Sequence, residues 1–373
     1  MQVDAVIVGD GPTGRLAYRV LSGLGLDTVI VAPANTHGAD PRTTALLPSS
    51  VEGLDGLGID VRPKATPLPT MIIESLGPFG TTAERFSAAE VGAEYLALNL
   101  PIGDLVGLMP AENRVEDKVV ALRHGAGDVT AITEGGAEIT ARLAVAADGV
   151  KSPTREAARI RLWRQPLGLS ALCAPVELDT PHEGLCIERY DDTGSITVIP
   201  VGSRAGSLIS IAPSADVDRL LAAGLPAIEA SAARRQPAYG AIRLTASPVV
   251  FPVSLGWAPT PARRRVVAVG EAAHTVPPIG AQGWNLAVRD LLALQEVLAG
   301  AVRAGGDIGG NAVLARYIRR RRFELPGRLA AVGMLAGVAT DTSLRGRLAR
   351  QVGLGVLSRV PPIKHGLMRS GLA

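Results

Sequence analysis

The opening segment of the chain constrains its fold more than any other stretch. Val3–Val8 is a near-continuous apolar run, the pattern of a strand buried on both faces of a parallel sheet. Gly9-Asp10-Gly11-Pro12-Thr13-Gly14 follows. Leu16, Ala17, Val20, Leu21 and Leu24 then recur at helical spacing, and Gly25 stands where a helix would end. Thr28–Val31 reads as a second buried strand, which makes a βαβ unit. Each glycine has a physical task. Gly9 permits the tight turn, Gly11 lets the backbone approach a pyrophosphate, and Gly14 lets the helix pack close to the sheet. The helix N-terminus, with Pro12 and Thr13, then favours phosphate charge. Such a glycine pattern is weak alone, but between a strand and a helix it predicts a bound dinucleotide. One expected part is missing. The acid that ends the second strand and takes the ribose hydroxyls is replaced by Ala32, so either another group holds the ribose, Asn35 being one candidate, or the adenosine half is held loosely.

The middle of the chain follows another pattern. Cys186–Tyr190, Ser195–Pro200 and Ser207–Ala212 are short strand-like runs, separated by the turn signals Asp191–Gly194 and Gly202–Gly206. They predict an antiparallel meander rather than more parallel sheet. Ser214 is expected to cap a helix carrying Asp216 and Asp218 in its first turn, and Ile242–Val253 returns as extended chain. Arg265–Gly270 reads as a buried strand, and Ala287, Leu291, Leu294 and Leu298 mark a helix beyond it. The picture is a dinucleotide-binding domain interrupted by a β-rich domain, with a helical, basic C-terminal extension.

Two further motifs sit at strand ends. Leu143–Ala147 runs into Asp148-Gly149-Val150-Lys151-Ser152-Pro153-Thr154-Arg155, a sharp turn after which Ser152 can start a helix. Taken alone, that is an ordinary strand–turn–helix. Gly270-Glu271-Ala272-Ala273-His274-Thr275-Val276-Pro277-Pro278-Ile279-Gly280-Ala281-Gln282-Gly283-Trp284-Asn285 is more telling. Glu271 places an acid at the carboxyl end of a strand, where cofactors bind in open α/β sheets. The two prolines stiffen a loop, and Gly280 and Gly283 let its backbone approach a ligand.

The three motifs, in this order and at these separations, resemble the flavin fingerprints of the para-hydroxybenzoate-hydroxylase-fold FAD-dependent monooxygenases. Asp40-Pro41-Arg42-Thr43-Thr44-Ala45-Leu46 and Gly280–Asp290 are similar to segments of one branch, the ubiquinone-biosynthesis hydroxylases, and so is the tail Leu354–Leu372. The resemblance implies an α/β fold: an FAD-binding Rossmann-like (GR2-type) domain, an inserted β-sheet substrate domain and a helical C-terminal extension. It places the FAD-binding domain at residues 1–70, 98–163 and 256–300, the substrate domain at 71–97 and 164–255, and the helical region at 301–373.

The resemblance also assigns residues. FAD is expected on Gly9, Gly11, Pro12, Thr13, Gly14, Asp148 and Gly149, and on Gly270, Glu271, Pro277, Gly280, Gln282, Gly283, Trp284 and Asn285. Arg42 is expected at the flavin's phosphate side or its mobile ring. Pro278 and Gly280 are expected at the reacting edge, with Pro278 near the substrate ring. Where the family has Gly-Asp, this chain has Gly270-Glu271, one methylene longer. No second Gly-x-Gly-x-x-Gly follows a later strand, so NAD(P)H is expected to meet the flavin transiently, or an external donor to supply electrons. The implied reaction is hydroxylation by O₂, through a flavin C4a-hydroperoxide, of an aromatic, polyprenylated phenol of ubiquinone biosynthesis. Its rivals are a flavin oxidoreductase of the same fold on another substrate (a tailoring oxygenase or isoprenoid reductase) and a non-catalytic accessory protein of a quinone-biosynthesis complex. His274, Tyr190 and Tyr239 are expected to be structural.

Composition sets the remaining bounds. A chain of 373 residues, 47% hydrophobic and 20% charged, has ample material for a core. Its net charge of +3 gives no reason to expect nucleic acid. From Arg316 onward, however, bases far outnumber the acids Glu324 and Asp341. Such a tail is either a solvated helix face or a surface for anionic lipid or acidic protein, other quinone-biosynthesis proteins included. Cys173 and Cys186 match neither a metal-site nor a redox-pair spacing, so buried free thiols and no metal are expected. No basic segment precedes the first apolar run, and Leu329–Thr340 is too short to span a bilayer. A cytoplasmic protein, peripheral at the inner face of the membrane, is the expectation.

Overall fold

The computed structural model describes residues 1–34 and 40–372, so Asn35 lies outside the described residues. The N-terminal βαβ unit forms as read: strand Gln2–Val8, helix Pro12–Gly23, strand Thr28–Ala32. Gln2–Val8 lies at the centre of a parallel arrangement, paired with Glu138–Ala146 on one side and Thr28–Ala32 on the other. Val266–Ala268 and Arg114–Glu116 extend the sheet outward, both parallel. One face packs on the helices Pro12–Gly23 and Gln282–Arg303 through Leu16, Val20, Leu21, Val288, Leu291 and Leu294, all nearly inaccessible. The other face is covered by Val119 and Val129 of an antiparallel β-extension, Val119–His124 and Val129–Thr133, which continues from Ile139 of Glu138–Ala146. Burial on both faces is why these strands read as unbroken apolar runs.

A second sheet of nine strands is built around the long strand Trp163–Leu178. The meander predicted for it is present as Leu185–Tyr190, Ser195–Val201 and Ala205–Pro213. Thr70–Gly77 joins parallel to Leu185–Tyr190, and Gly80–Ser87 pairs with Thr70–Gly77 in a hairpin. One face carries Leu172, Ile187, Val198 and Leu208 against the helices Ser214–Ala222 and Leu225–Arg235. The opposite face carries Ala171, Tyr190, Ile211 and Val253, and Ile279 of the proline loop packs onto it.

Two sequence expectations are corrected. Ser214 does not cap its helix: it is the first helical residue, and its hydroxyl donates to the Gly168 carbonyl at 3.3 Å. The neighbouring strand has claimed the group that would otherwise serve the helix. The strand expected at Arg265–Gly270 is shorter, Val266–Ala268. Arg264 and Arg265 both take left-handed backbone, forming the tight turn that precedes it, and Gly270 already belongs to a 3-10 turn.

The C-terminal region is helical: Asn311–Thr340, Leu344–Arg359 and Pro361–Leu372. Several of its bases point inward. Arg321 is 2% exposed and pairs with Asp290 at 2.7 Å. Arg350 lies over the Tyr190 ring, 5.6 Å from its centroid, and its guanidinium also donates to the Val338 and Asp341 carbonyls. Lys364 bridges Glu84 at 2.7 Å and Glu90 at 2.8 Å. These charges fasten the extension to both sheets. Among the described residues no helix is long and apolar enough to cross a membrane.

Candidate active site

The three sequence motifs converge at the carboxyl ends of the parallel strands. Gly9 adopts φ +110°, and a Cβ there would collide with the Ala147 carbonyl, so the first turn lies directly on the second motif. A Cβ on Gly14 would strike the Gly9 carbonyl oxygen, which fixes how closely the helix approaches the loop. Gly270, at φ +57°, is pressed against Thr13: a Cβ there would stand 2.9 Å from the threonine side chain. Arg155, 5% exposed, donates to the Val150 carbonyl at 3.1 Å and across to the Ala272 carbonyl at 3.4 Å. Each motif therefore touches the other two.

Two helix N-termini open at this junction without a capping side chain. Gly11 occupies the cap position of Pro12–Gly23 in extended geometry, and Pro12 is the first helical residue. Ala281 occupies that position for Gln282–Arg303 in left-handed backbone, φ +56°. Orphan N–H groups and partial positive charge at such ends suit an anionic or electron-rich ligand. Gly149, Gly280 and Gly283 have open space where a Cβ would stand. They line a cradle, whereas Gly9, Gly14 and Gly270 hold it together.

Several predicted residues are committed elsewhere by their side chains. Asp148 accepts from the Ser152 hydroxyl and from Thr154 N–H at 3.1 Å, and Ser152 in turn accepts from Arg155 N–H at 3.0 Å, capping the short helix as expected. Asn285 is 1% exposed; its Oδ1 accepts from Leu47 N–H at 3.0 Å and its Nδ2 donates to the Ala45 carbonyl at 2.8 Å. It thereby staples the strand Thr43–Leu46 to the helix that follows the proline loop. Gln282 folds back on the Gly280 carbonyl at 3.1 Å. Trp284 is partly buried, and its indole N–H has no hydrogen-bond partner among the described residues.

Glu271 stands exposed in the 3-10 turn Gly270–Ala272. Arg42 binds Asp40 at 2.6 Å; this contact, against the cost of burial, holds its guanidinium charged, and Glu271 adds to the same field. In the proline loop Pro277 is buried, Pro278 half-buried and Gly280 exposed, and the Ile279 N–H turns back onto the Pro277 carbonyl at 2.8 Å.

Other charged groups at the site were not singled out from sequence. Asp10, 4% exposed, pairs with Arg15 and with Arg114, the latter at 3.0 Å. The acid absent at Ala32 has a counterpart one strand away: Glu116 is the register partner of Ala32. Asp290 accepts from Gly270 N–H at 2.9 Å, contacts His274 Nε2 at 2.7 Å and pairs with Arg321. Burial would raise the Asp290 carboxyl, but Arg321 and His274 outweigh it and hold it below the usual aspartate range. His274 is 2% exposed and is held inside this network by Asp290. The signal that could have found Asp290 is its place on the buried face of an apolar helix, where a lone acid demands a cation.

On the substrate-side sheet, Tyr190 donates to Glu188 at 2.5 Å, and both are buried on the face that meets Ile279. Burial pushes the Glu188 carboxyl above its ordinary range, with the Tyr190 hydroxyl opposing. Tyr239 is core: its hydroxyl donates to the Leu185 carbonyl at 2.9 Å. Both cysteines are free and buried, and burial pushes the Cys173 thiol up to about 12.

The model of the FAD binding domain family matches residues 2–323. The chain belongs to this FAD-binding family. It is 28% identical to the ubiquinone hydroxylase UbiL of Rhodospirillum rubrum, over 99% of this chain and 89% of that protein. It is 25% identical to the 3-demethoxyubiquinol 3-hydroxylase of Escherichia coli, over 86% of each. The crystal structure of p-nitrophenol 4-monooxygenase PnpA from Pseudomonas putida superposes with a TM-score of 0.80 at 20% identity, covering 100% of this chain and 97% of that one, which shows a shared fold. The cradle fits FAD on its own geometry: the glycine turn and open helix end suit a pyrophosphate, and the uncapped helix behind the proline loop suits a polar ring edge.

Proposed function

We propose that this chain is an FAD-dependent monooxygenase that hydroxylates an aromatic, polyprenylated phenol of ubiquinone biosynthesis. The observation that carries the reading is the mutual contact of the three motifs, with Ile279 extending from them onto the apolar face of the second sheet. The kinship with UbiL supports the substrate class.

In this reading Gly11, Thr13 and Gly14 meet the pyrophosphate of FAD through main-chain N–H groups, while Pro12 starts the helix and Gly9, its N–H held by the Val31 carbonyl, makes the turn. Gly149, Gly270 and Glu271 border the ribityl chain, with Asp148 shaping the turn rather than touching the cofactor. Pro277, Gly280, Gln282, Gly283, Trp284 and Asn285 border the ring, Asn285 by fixing the helix start. Arg42 stands on the substrate-side edge. Reduced FAD, once bound, activates O₂ for transfer of one oxygen atom, with NAD(P)H or an external donor as reductant. The protein's own contribution is position and dryness. Pro278 and Gly280 shape the edge at which the ring arrives, and Ile279, Ile211 and Val253 exclude water from it.

We assign residues 1–70, 98–163 and 256–300 to FAD, 71–97 and 164–255 to substrate, and 301–373 to the helical extension; the strand His274–Thr275 links the first two by pairing with the nine-stranded sheet. The extension also offers a membrane-facing surface. Val352, Val356, Val360, Ile363 and Leu367 are exposed along its last two helices, and the exposed charges among them, Arg345, Arg359 and Arg369, are all positive. That combination suits an anionic bilayer at which a polyprenylated substrate resides.

The test is direct. The FAD-loaded protein, given NADPH, O₂ and a short-chain prenylated phenol, should add one oxygen atom that carries the label of ¹⁸O₂. A yellow protein that only oxidises NADPH to release peroxide with every prenylated phenol tried would reject the substrate. A colourless protein that takes up no FAD would reject the enzyme.

A further inference from the structure

A second cleft, of about 460 Å³, opens one helical turn beyond Asn285. It lies between the helices Pro48–Asp55, Gln282–Arg303 and Pro361–Leu372. Its polar end is the first turn of Pro48–Asp55, which bears Ser49 and Ser50. That helix has no capping side chain and no acid in its first turn. No acid in that first turn meets its N-terminal partial charge.

Two arginines from different helices, Arg289 and Arg369, line the same cleft. Arg289 donates to Ser49 Oγ at 3.1 Å, which places its guanidinium at the helix start. Burial first, then Arg328 and Arg321, depress its pKa, with Glu324 opposing. The second, independent observation is Ser50. It is 2% exposed, it lines the cleft, and its Oγ has no hydrogen-bond partner among the described residues. A buried hydroxyl without a partner costs stability, so such a group calls for a ligand. Val91 and Leu292 wall the cleft with apolar surface, and Glu52 stands exposed at its rim.

We propose that this cleft binds the phosphate group of a phosphate-bearing ligand. A helix N-terminus, a serine hydroxyl and two guanidinium forks match the several acceptor oxygens of a tetrahedral oxyanion. Two sources share that chemistry: the dinucleotide reductant and the headgroup of an anionic lipid. Arg369, on the helix that also exposes Ile363 and Leu367, lies open to either. The cleft is separate from the cradle, so this inference stands whether or not the hydroxylase reading does.

The experiment is calorimetric titration of the FAD-loaded full chain with inorganic pyrophosphate, with the flavin occupying the cradle's own diphosphate site. One saturable site is expected. Arg289→Gln and Arg369→Gln should each weaken it at least about tenfold. Ser50→Ala should weaken it several-fold while leaving the urea midpoint unchanged or higher, because it deletes a buried unpaired hydroxyl. Competition then names the source: displacement by NADPH assigns the dinucleotide, and displacement by phosphatidylglycerol vesicles assigns the lipid. Absence of saturable binding, equal binding by both arginine variants and the parent, or displacement by neither competitor would overturn the proposal. The flavin absorbance of the same samples reports separately on the cradle.

Discussion

At the carboxyl ends of the parallel strands, the groups turned toward a ligand are mostly main chain: two uncapped helix starts and the open glycines Gly149, Gly280 and Gly283. The face of the nine-stranded sheet that meets Ile279 instead carries side chains drawn from several strands, among them Ala171, Glu188, Tyr190, Ile211 and Val253. In the proposed function, a cofactor common to a whole family would be met by backbone shape. A substrate particular to one member would be met by side-chain choice. Between them stands Asp290, a side chain that serves the backbone side by gathering Gly270, His274 and Arg321.

If the backbone cradle depends on that hub, its removal should have the largest effect. Asp290→Ala leaves Arg321 and His274 buried without their carboxylate, and should cost about 3–5 kcal/mol in urea unfolding. A cost under about 1 kcal/mol would place the cradle's support elsewhere. Next comes the cradle itself. Gly14→Ala sets a Cβ against the Gly9 carbonyl and should weaken FAD at least about 100-fold, or roughly 2.7 kcal/mol, in a flavin titration. The same substitution at Gly149, where a Cβ meets nothing but φ is +79°, should cost only about 1 kcal/mol.

Acid should sharpen the contrast between the two buried carboxylates. The Asp290 pKa is lowered in the folded state, so its stabilisation is present above the ordinary aspartate range and is lost as pH falls through the folded value. Asp290→Asn should flatten that acid limb. The Glu188 pKa is raised, so the sign reverses: its contribution is present below the ordinary glutamate range and is lost as pH rises through the folded value. Glu188→Gln should therefore match the parent in acid and exceed it in unfolding free energy at neutral pH, by about 1 kcal/mol. The smallest effect belongs to Tyr190→Phe. It should leave FAD affinity unchanged and raise KM for a phenol a few-fold, and an equal loss of FAD would erase the distinction between the two sides.

The same contrast explains what could be read in the sequence. Gly9–Gly14 and Gly270–Gly283 were legible because backbone geometry restricts residue type locally: only glycine tolerates φ +110° at Gly9 against the Ala147 carbonyl. The meander was legible from alternation and turns. Asp290–Arg321 and Arg350 on Tyr190 were not, because each pair needs a helix docking that no local pattern encodes. Asp148 and Asn285 were found in the right place, yet their side chains hold loops rather than open space, a distinction visible only with their acceptors and donors in view. The basic tail was misleading in part. Arg321, Arg350 and Lys364 serve as buried fasteners, and the exposed positive face is made by the others.

The most direct measurement is titration of the purified chain with FAD, followed by absorbance and by identification of the flavin released on denaturation. A single FAD should bind per chain, tightly enough to survive gel filtration, and Gly14→Ala should abolish that retention while leaving the circular dichroism of the parent. A parent chain that stays colourless in excess FAD, or a Gly14→Ala variant that retains it equally, would contradict the assembly of the three motifs into one flavin site.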